Sequence, residues 1–218
     1  SISPIICMTN NSIKSNNYAI LLALLFLSLL AGCGAKTSPL PKLAANDVVL
    51  AFGDSLTFGT GANESESYPA ILASLINRKV IRAGVPGETS AEGLRRLPEA
   101  LEEHSPKLMI LCLGGNDFLR KMGEQQAENN LRDMIKLTRA RGIAVVLLGV
   151  PKPALFGGGS ADFYRKLAQE FNLPIEENIF GNVLHKNELK SDAVHPNARG
   201  YRIVAEAVAG LLKKAGAV

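Results

Sequence analysis

The chain is predicted to fold as an α/β protein, a three-layer α/β/α domain around a central parallel sheet, and three observations carry that prediction. Short apolar runs alternate with longer amphipathic ones, each short run is apolar along its whole length, and glycine or proline bounds the runs. A strand that is apolar on both faces needs cover on both, and parallel strands obtain it from the helices that connect them. The expected strands are residues 48–52, 80–83, 108–113 and 144–150. The first expected helix opens at Ser67-Tyr68-Pro69, where a cap residue precedes an early proline. The others cover residues 90–103, 126–141, 161–171 and 197–214. In such a sheet ligands bind beyond the carboxyl ends of the strands, so chemistry is to be sought just after each one.

That domain is placed at residues 47–218; a chain of 218 residues holds one α/β domain and not two with a linker. Ahead of it, residues 19–31 form a run of about a dozen apolar residues, the length of a signal-peptide core and short of the roughly 20 that span a bilayer. Residues 1–32 are therefore read as a signal peptide, with Lys14 upstream of its core and Met8 as the expected start. The core ends in Leu30-Ala31-Gly32-Cys33, which resembles the bacterial lipobox, so Cys33 is expected to carry lipid and anchor the chain to a membrane. Residues 33–46, with Lys, Pro, Ser and Ala and no periodicity, read as a flexible tether. The expected location is that of an exported lipoprotein facing the periplasm, and Gly34 rather than an aspartate after Cys33 resembles the outer-membrane pattern.

Of the three cysteines, Cys7 lies outside the mature chain, Cys33 is lipidated, and Cys112 falls inside an apolar run as a small core residue, so no intrachain disulfide is expected. The formal charge of +4 is spread along helices rather than clustered with aromatics, which excludes nucleic acid as a partner. No repeat suggests a solenoid. The stretch 151–160, PKPALFGGGS, is the one compositionally odd loop; Leu155 and Phe156 on it are candidate substrate-binding residues, a lid or acyl-chain wall, against the plainer reading of a connector.

The first strand runs directly into Phe52-Gly53-Asp54-Ser55-Leu56-Thr57-Phe58-Gly59. A serine at that turn stands at the site edge, and the block resembles the GDSL signature of the SGNH hydrolases rather than the G-x-S-x-G elbow of other hydrolases. Serine needs a base, and there are three histidines. His104 and His185 are read as exposed structural residues. His195 stands in Ser191-Asp192-Ala193-Val194-His195-Pro196-Asn197, where an aspartate three residues ahead can fold back onto Nδ1 and leave Nε2 facing Ser55.

Two further blocks follow the second and third strands: Gly84-Val85-Pro86-Gly87-Glu88-Thr89-Ser90 and Gly114-Gly115-Asn116-Asp117. The resemblance implies an oxyanion hole made by the Ser55 N–H, the Gly87 N–H and the Asn116 side chain, with Gly84 as the alternative glycine. It also implies a flavodoxin-like sheet, an acyl-enzyme mechanism, no cofactor and no metal. Asp54 and Asp117 are read as hydrogen-bonding supports for their loops. The opening block, the short length and the run Gly-Glu-Thr-Ser-Ala-Glu-Gly-Leu-Arg-Arg-Leu resemble the small bacterial arylesterase, thioesterase and lysophospholipase branch. The expected substrate is thus a small-molecule acyl ester or thioester, or a lipid such as a lysophospholipid. An O-acetyl esterase of envelope polysaccharide and a non-catalytic acyl-binding lipoprotein are the rivals. The glycine-rich loop at residues 157–159 departs from the family pattern.

Overall fold

All four expected strands are present in the computed structural model, which describes residues 39–152 and 159–218. Residues 1–32, expected to be a signal peptide, and Cys33, Leu155 and Phe156 lie outside the described residues. The strands are β1 (Val48–Gly53), β2 (Lys79–Gly84), β3 (Leu108–Cys112) and β4 (Ala144–Leu148). A two-residue β5 (Ile175–Glu176), absent from the sequence expectation, completes one parallel sheet in the order β2-β1-β3-β4-β5.

The helices are α1 (Ser55–Phe58), α2 (Tyr68–Ile76), α3 (Ser90–His104), α4 (Gly115–Leu119), α5 (Glu124–Ala140), α6 (Asp162–Glu170), α7 (Ile179–Leu184) and α8 (Ala198–Lys214). From β1 the chain steps to β2 on one side, then crosses back to β3, β4 and β5 on the other. Right-handed crossovers in opposite directions put α2 on one face of the sheet and α3, α5 and α6 on the other. The packing follows: α2 lies against α8, and α3 lies against α5.

β3 is buried along its length and β1 from Val49 onward, as strands covered on both faces must be, and Cys112 is part of that core as a free, buried thiol. The reversal of strand order at β1 leaves a crevice at its carboxyl end, where the sheet is split between two crossover directions. Ser55 is the second residue past that end.

The tether expected at residues 33–46 ends sooner than its composition suggests. Leu43 is buried and Leu40 partly so, and their N–H groups bond the Ala217 and Ala215 carbonyls at 2.9 Å each, strapping the segment to the chain beyond α8. Two leucines three apart supply the apolar area; Lys42 between them stays exposed.

Candidate active site

The turn after β1 is shaped by Asp54, whose Oδ1 accepts from Leu56 N–H at 3.0 Å and caps α1. Ser55 therefore opens α1, and among the described residues its N–H has no acceptor. α8 holds this turn from the far side through Tyr201, whose hydroxyl donates to the Thr60 carbonyl at 2.8 Å.

The segment leading into α8 brings His195 to Ser55. Asp192 accepts from the N–H groups of Val194 and His195 at 2.8 and 2.9 Å, a tight turn that folds the aspartate back on the histidine. Its other oxygen then lies 2.8 Å from His195 Nδ1, and His195 Nε2 lies 2.9 Å from Ser55 Oγ. Ser191 N–H bonds the His195 carbonyl, and Asn197 caps α8 by accepting from Gly200 N–H, so the loop is closed on both sides of the histidine. Partial burial pushes the Asp192 carboxyl upward. The hydrogen bonds from the His195 ring and the two backbone N–H groups outweigh that and hold it below the usual carboxylate range. An ionised Asp192 fixes the proton on Nδ1 and leaves Nε2 as an acceptor for the serine hydroxyl.

Val85-Pro86-Gly87-Glu88 is a β-turn closed by Glu88 N–H on the Val85 carbonyl, with proline second and glycine third at φ +80°. That is the type II pattern, which favours glycine at the third position. The Gly87 N–H has no acceptor among the described residues, and Gly87 lines the same cleft as Ser55. Gly84, the alternative, does not line it; its Cα packs under the backbone of Phe58 and Asp54, where a side chain has no room. Asn116, in the first turn of α4, lines the cleft too, and its Nδ2 donates to the Glu88 carbonyl at 2.9 Å, with Asp54 Oδ2 at 3.4 Å.

The two loops carrying Gly87 and Asn116 are tied together. Asp117 accepts from Ser90 N–H at 2.8 Å and Ser90 Oγ at 2.6 Å, and Ser90 Oγ in turn accepts from Asn130 Nδ2 of α5 at 2.8 Å. Arg120 Nη2 adds a bond to the Gly87 carbonyl at 2.7 Å. Glu88 is clamped by both Nε and Nη2 of Arg96, whose guanidinium stacks 4.1 Å over the Phe52 ring. Behind the third block, Tyr164 Oη donates to the Leu113 carbonyl at 2.7 Å. Asp54 is fully buried in this setting. Desolvation, with a smaller push from Glu88 and Asp117 against the Leu56 bond, raises its carboxyl to about 7.

Ser55, His195, Gly87 and Asn116 thus line one cleft, with Asp192 bonded to His195, while Leu155 and Phe156 are outside the described residues. Sequence reasoning missed Asn130, although a polar residue among Ala127, Leu131 and Met134 on the apolar stripe of α5 is a visible signal. His185, expected to be exposed, is exposed and also borders the cleft beside Lys190 and Leu184. The cleft has a volume of about 570 Å³, and its apolar walls come from Leu56, Pro86, Leu119, Val150, Leu184 and Val194.

The profile of the GDSL-like lipase/acylhydrolase family matches residues 51–203. Thioesterase 1/protease 1/lysophospholipase L1 of Escherichia coli (strain K12) is 34% identical over 179 residues, 79% of this chain and 86% of that protein. Esterase TesA of Pseudomonas aeruginosa is 33% identical over 178 residues, covering 77% and 88%. A crystal structure of TesA superimposes with a TM-score of 0.70 at 29% identity, over 78% of this chain and 99% of that one.

Proposed function

We propose, from the premise that this chain belongs to the GDSL-like lipase/acylhydrolase family and is a carboxylic ester hydrolase, that Ser55 is its nucleophile and that its substrates are lipid-derived acyl esters or thioesters. The observation that carries the reading is the unbroken relay from Asp192 through His195 to Ser55, at 2.8 and 2.9 Å, beside a cleft with mostly apolar walls.

In the first half-reaction Ser55 Oγ attacks the ester carbonyl carbon while its proton passes to His195 Nε2. Asp192 stabilises the imidazolium through Nδ1. The carbonyl oxygen, now negative, is received by the Ser55 and Gly87 N–H groups and by the Asn116 amide, donors already held by the Ser90–Asp117 tie. His195 returns the proton to the leaving oxygen or sulfur, and the acyl group stays on Ser55. In the second half-reaction His195 takes a proton from water as its oxygen attacks the acyl carbon, and collapse of the tetrahedral adduct breaks the bond to Ser55 Oγ, which recovers its proton from His195 Nε2 as the carboxylic acid is released.

Hydrolysis of p-nitrophenyl esters from acetyl to palmitoyl, beside Ser55→Ala, tests this. Turnover that rises beyond acetyl and disappears in the variant supports the lipid-ester reading; an acetyl-only profile points instead to a sugar-acetate esterase. The proposal extends to location: the chain is tethered to a membrane through lipid on Cys33 and faces the periplasm, supported by the apolar run and the small residues before that cysteine. Incorporation of labelled palmitate that Cys33→Ser abolishes is the expected outcome, and labelling that survives the substitution refutes it.

A further inference from the structure

The chain enters its folded domain at the end of the sheet remote from the cleft. Leu40 and Leu43 are strapped to Ala215 and Ala217 beyond α8, and Arg78 Nη2 donates to the Leu43 carbonyl at 3.0 Å. Arg78 immediately precedes β2 and Asp47 immediately precedes β1, so the strap lies at the amino edge of the sheet. Ser55 and the loop bearing His195 stand at the carboxyl edge. α8 joins the two edges: Asn197 caps its first turn beside that loop, and Ala215, which the strap binds, follows its last residue. Its 17 residues span about 26 Å at ~1.5 Å per residue.

The strap is part of the fold rather than a trailing end. Leu43 is 1% exposed and belongs to the main core, and Leu40 packs against that core. From Cys33 to Pro39 there are six Cα–Cα steps. Fully extended they reach at most about 22 Å, and as a flexible chain about 14 Å r.m.s.. A domain set with its cleft mouth against a bilayer holds Pro39 above the surface by at least the length of α8, which six steps do not cover.

We infer that the strap turns the cleft away from the bilayer that holds the anchor, so that the enzyme takes single-chain acyl esters from the aqueous phase and not from that bilayer. The inference rests on the ester-hydrolase reading and on lipid at Cys33, and adds the physical state in which the substrate arrives. Every methylene strengthens the hold of a bilayer on an ester, so a single-chain ester exchanges with water far more readily than a two-chain one. Leu40 and Leu43 orient the domain; they touch no substrate and leave the chemistry at Ser55 unchanged.

The test uses the lipidated full chain in dilute phosphatidylcholine vesicles, with p-nitrophenyl butyrate in the water and p-nitrophenyl palmitate in the same bilayer. Inserting about 24 Gly/Ser residues between Lys36 and Thr37 raises the r.m.s. reach to about 30 Å. The ratio of palmitate to butyrate turnover is expected to be roughly tenfold higher in that variant than in wild type, because a cleft within reach of the bilayer meets a high effective concentration of its ester. Leu40→Ser with Leu43→Ser, which frees the strap without lengthening the chain, is expected to move the ratio the same way, with butyrate turnover showing that the domain is folded. In detergent micelles, where no bilayer fixes the anchor, wild type and the insertion variant are expected to share one ratio. Equal ratios in vesicles, a difference that persists in micelles, or a folded double variant that keeps the wild-type ratio overturns the proposal, while Ser55-dependent butyrate hydrolysis and flotation with the vesicles leave the two readings beneath it intact. A chain that does not float with the vesicles removes the anchor reading, and hydrolysis of neither ester, or hydrolysis that persists in Ser55→Ala, removes the ester-hydrolase reading; either takes this inference with it.

Discussion

Asp54 is a carboxyl whose ionisation the fold resists, and replacing it by asparagine isolates the effect. Asparagine keeps the oxygen that accepts from Leu56 N–H and so preserves the cap of α1. Burial raises the folded-state carboxyl to about 7 from 3.8, so the native state favours the protonated form. The sign follows: the contribution of Asp54 to stability is complete below 3.8, declines as the pH rises through about 7, and is lost above it. A difference of that size corresponds to about 4 kcal/mol at 1.36 kcal/mol per pH unit, a large share of the ~5–15 kcal/mol that keeps a domain folded. The assay is urea unfolding of wild type and Asp54→Asn at pH 4 and pH 8. Taking the difference between the two proteins at each pH cancels the other carboxylates. The variant is expected to gain about 4 kcal/mol on the wild type between those two pH values. Profiles that run parallel across the range refute the reasoning, because they require a carboxylate that ionises in the folded protein as easily as in the unfolded one.

Asn116→Ala removes one proposed oxyanion donor and its bond to the Glu88 carbonyl; kcat on a p-nitrophenyl ester is expected to fall by about 10²–10³ with a smaller change in KM, as steady-state kinetics will show. Asn130→Leu touches no substrate but takes the third member from the Ser90–Asp117 tie, so kcat is expected to drop roughly tenfold through displacement of the donors, with about 1–3 kcal/mol lost in urea unfolding. Unchanged kcat alongside that loss of stability restricts Asn130 to a structural part. Tyr164→Phe leaves the Leu113 carbonyl without its partner in a buried site and is expected to lower stability by about 1–3 kcal/mol, measured the same way.

What the sequence makes legible follows the range of the interactions involved. The four long strands and five long helices are visible because each carries its own apolar run or stripe, and their observed ends fall within two residues of the expected ones. β5 is not visible, since Ile175-Glu176 is too short for any period, and it forms because β4 presents an open edge. α4 begins on the second of two glycines and has no periodic stripe, yet it places Asn116. Ser55, Asp192 and His195 are legible because each sits in a local turn whose chemistry is written within a few residues. Asn130 is not, because its partner Ser90 is forty residues away on another helix and only packing reveals the pair. His185 is exposed, as its polar neighbours Lys186 and Asn187 suggest; that it also borders the cleft follows from its position at the end of α7, which the local sequence does not show. Leu43 was hidden by the prolines and lysines around it, and the partner that buries it lies at the opposite end of the chain.

The central claim is that an acyl group passes through Ser55 Oγ, activated by His195, and trapping that oxygen tests it most directly. The full chain is treated with an alkyl fluorophosphonate, digested, and the peptide bearing residues 53–59 is weighed by mass spectrometry. The account predicts a single adduct on Ser55, absent in Ser55→Ala and formed at least a thousandfold more slowly in His195→Ala, where no base accepts the hydroxyl proton. An adduct on another residue, or labelling of Ser55 at an undiminished rate without His195, contradicts it.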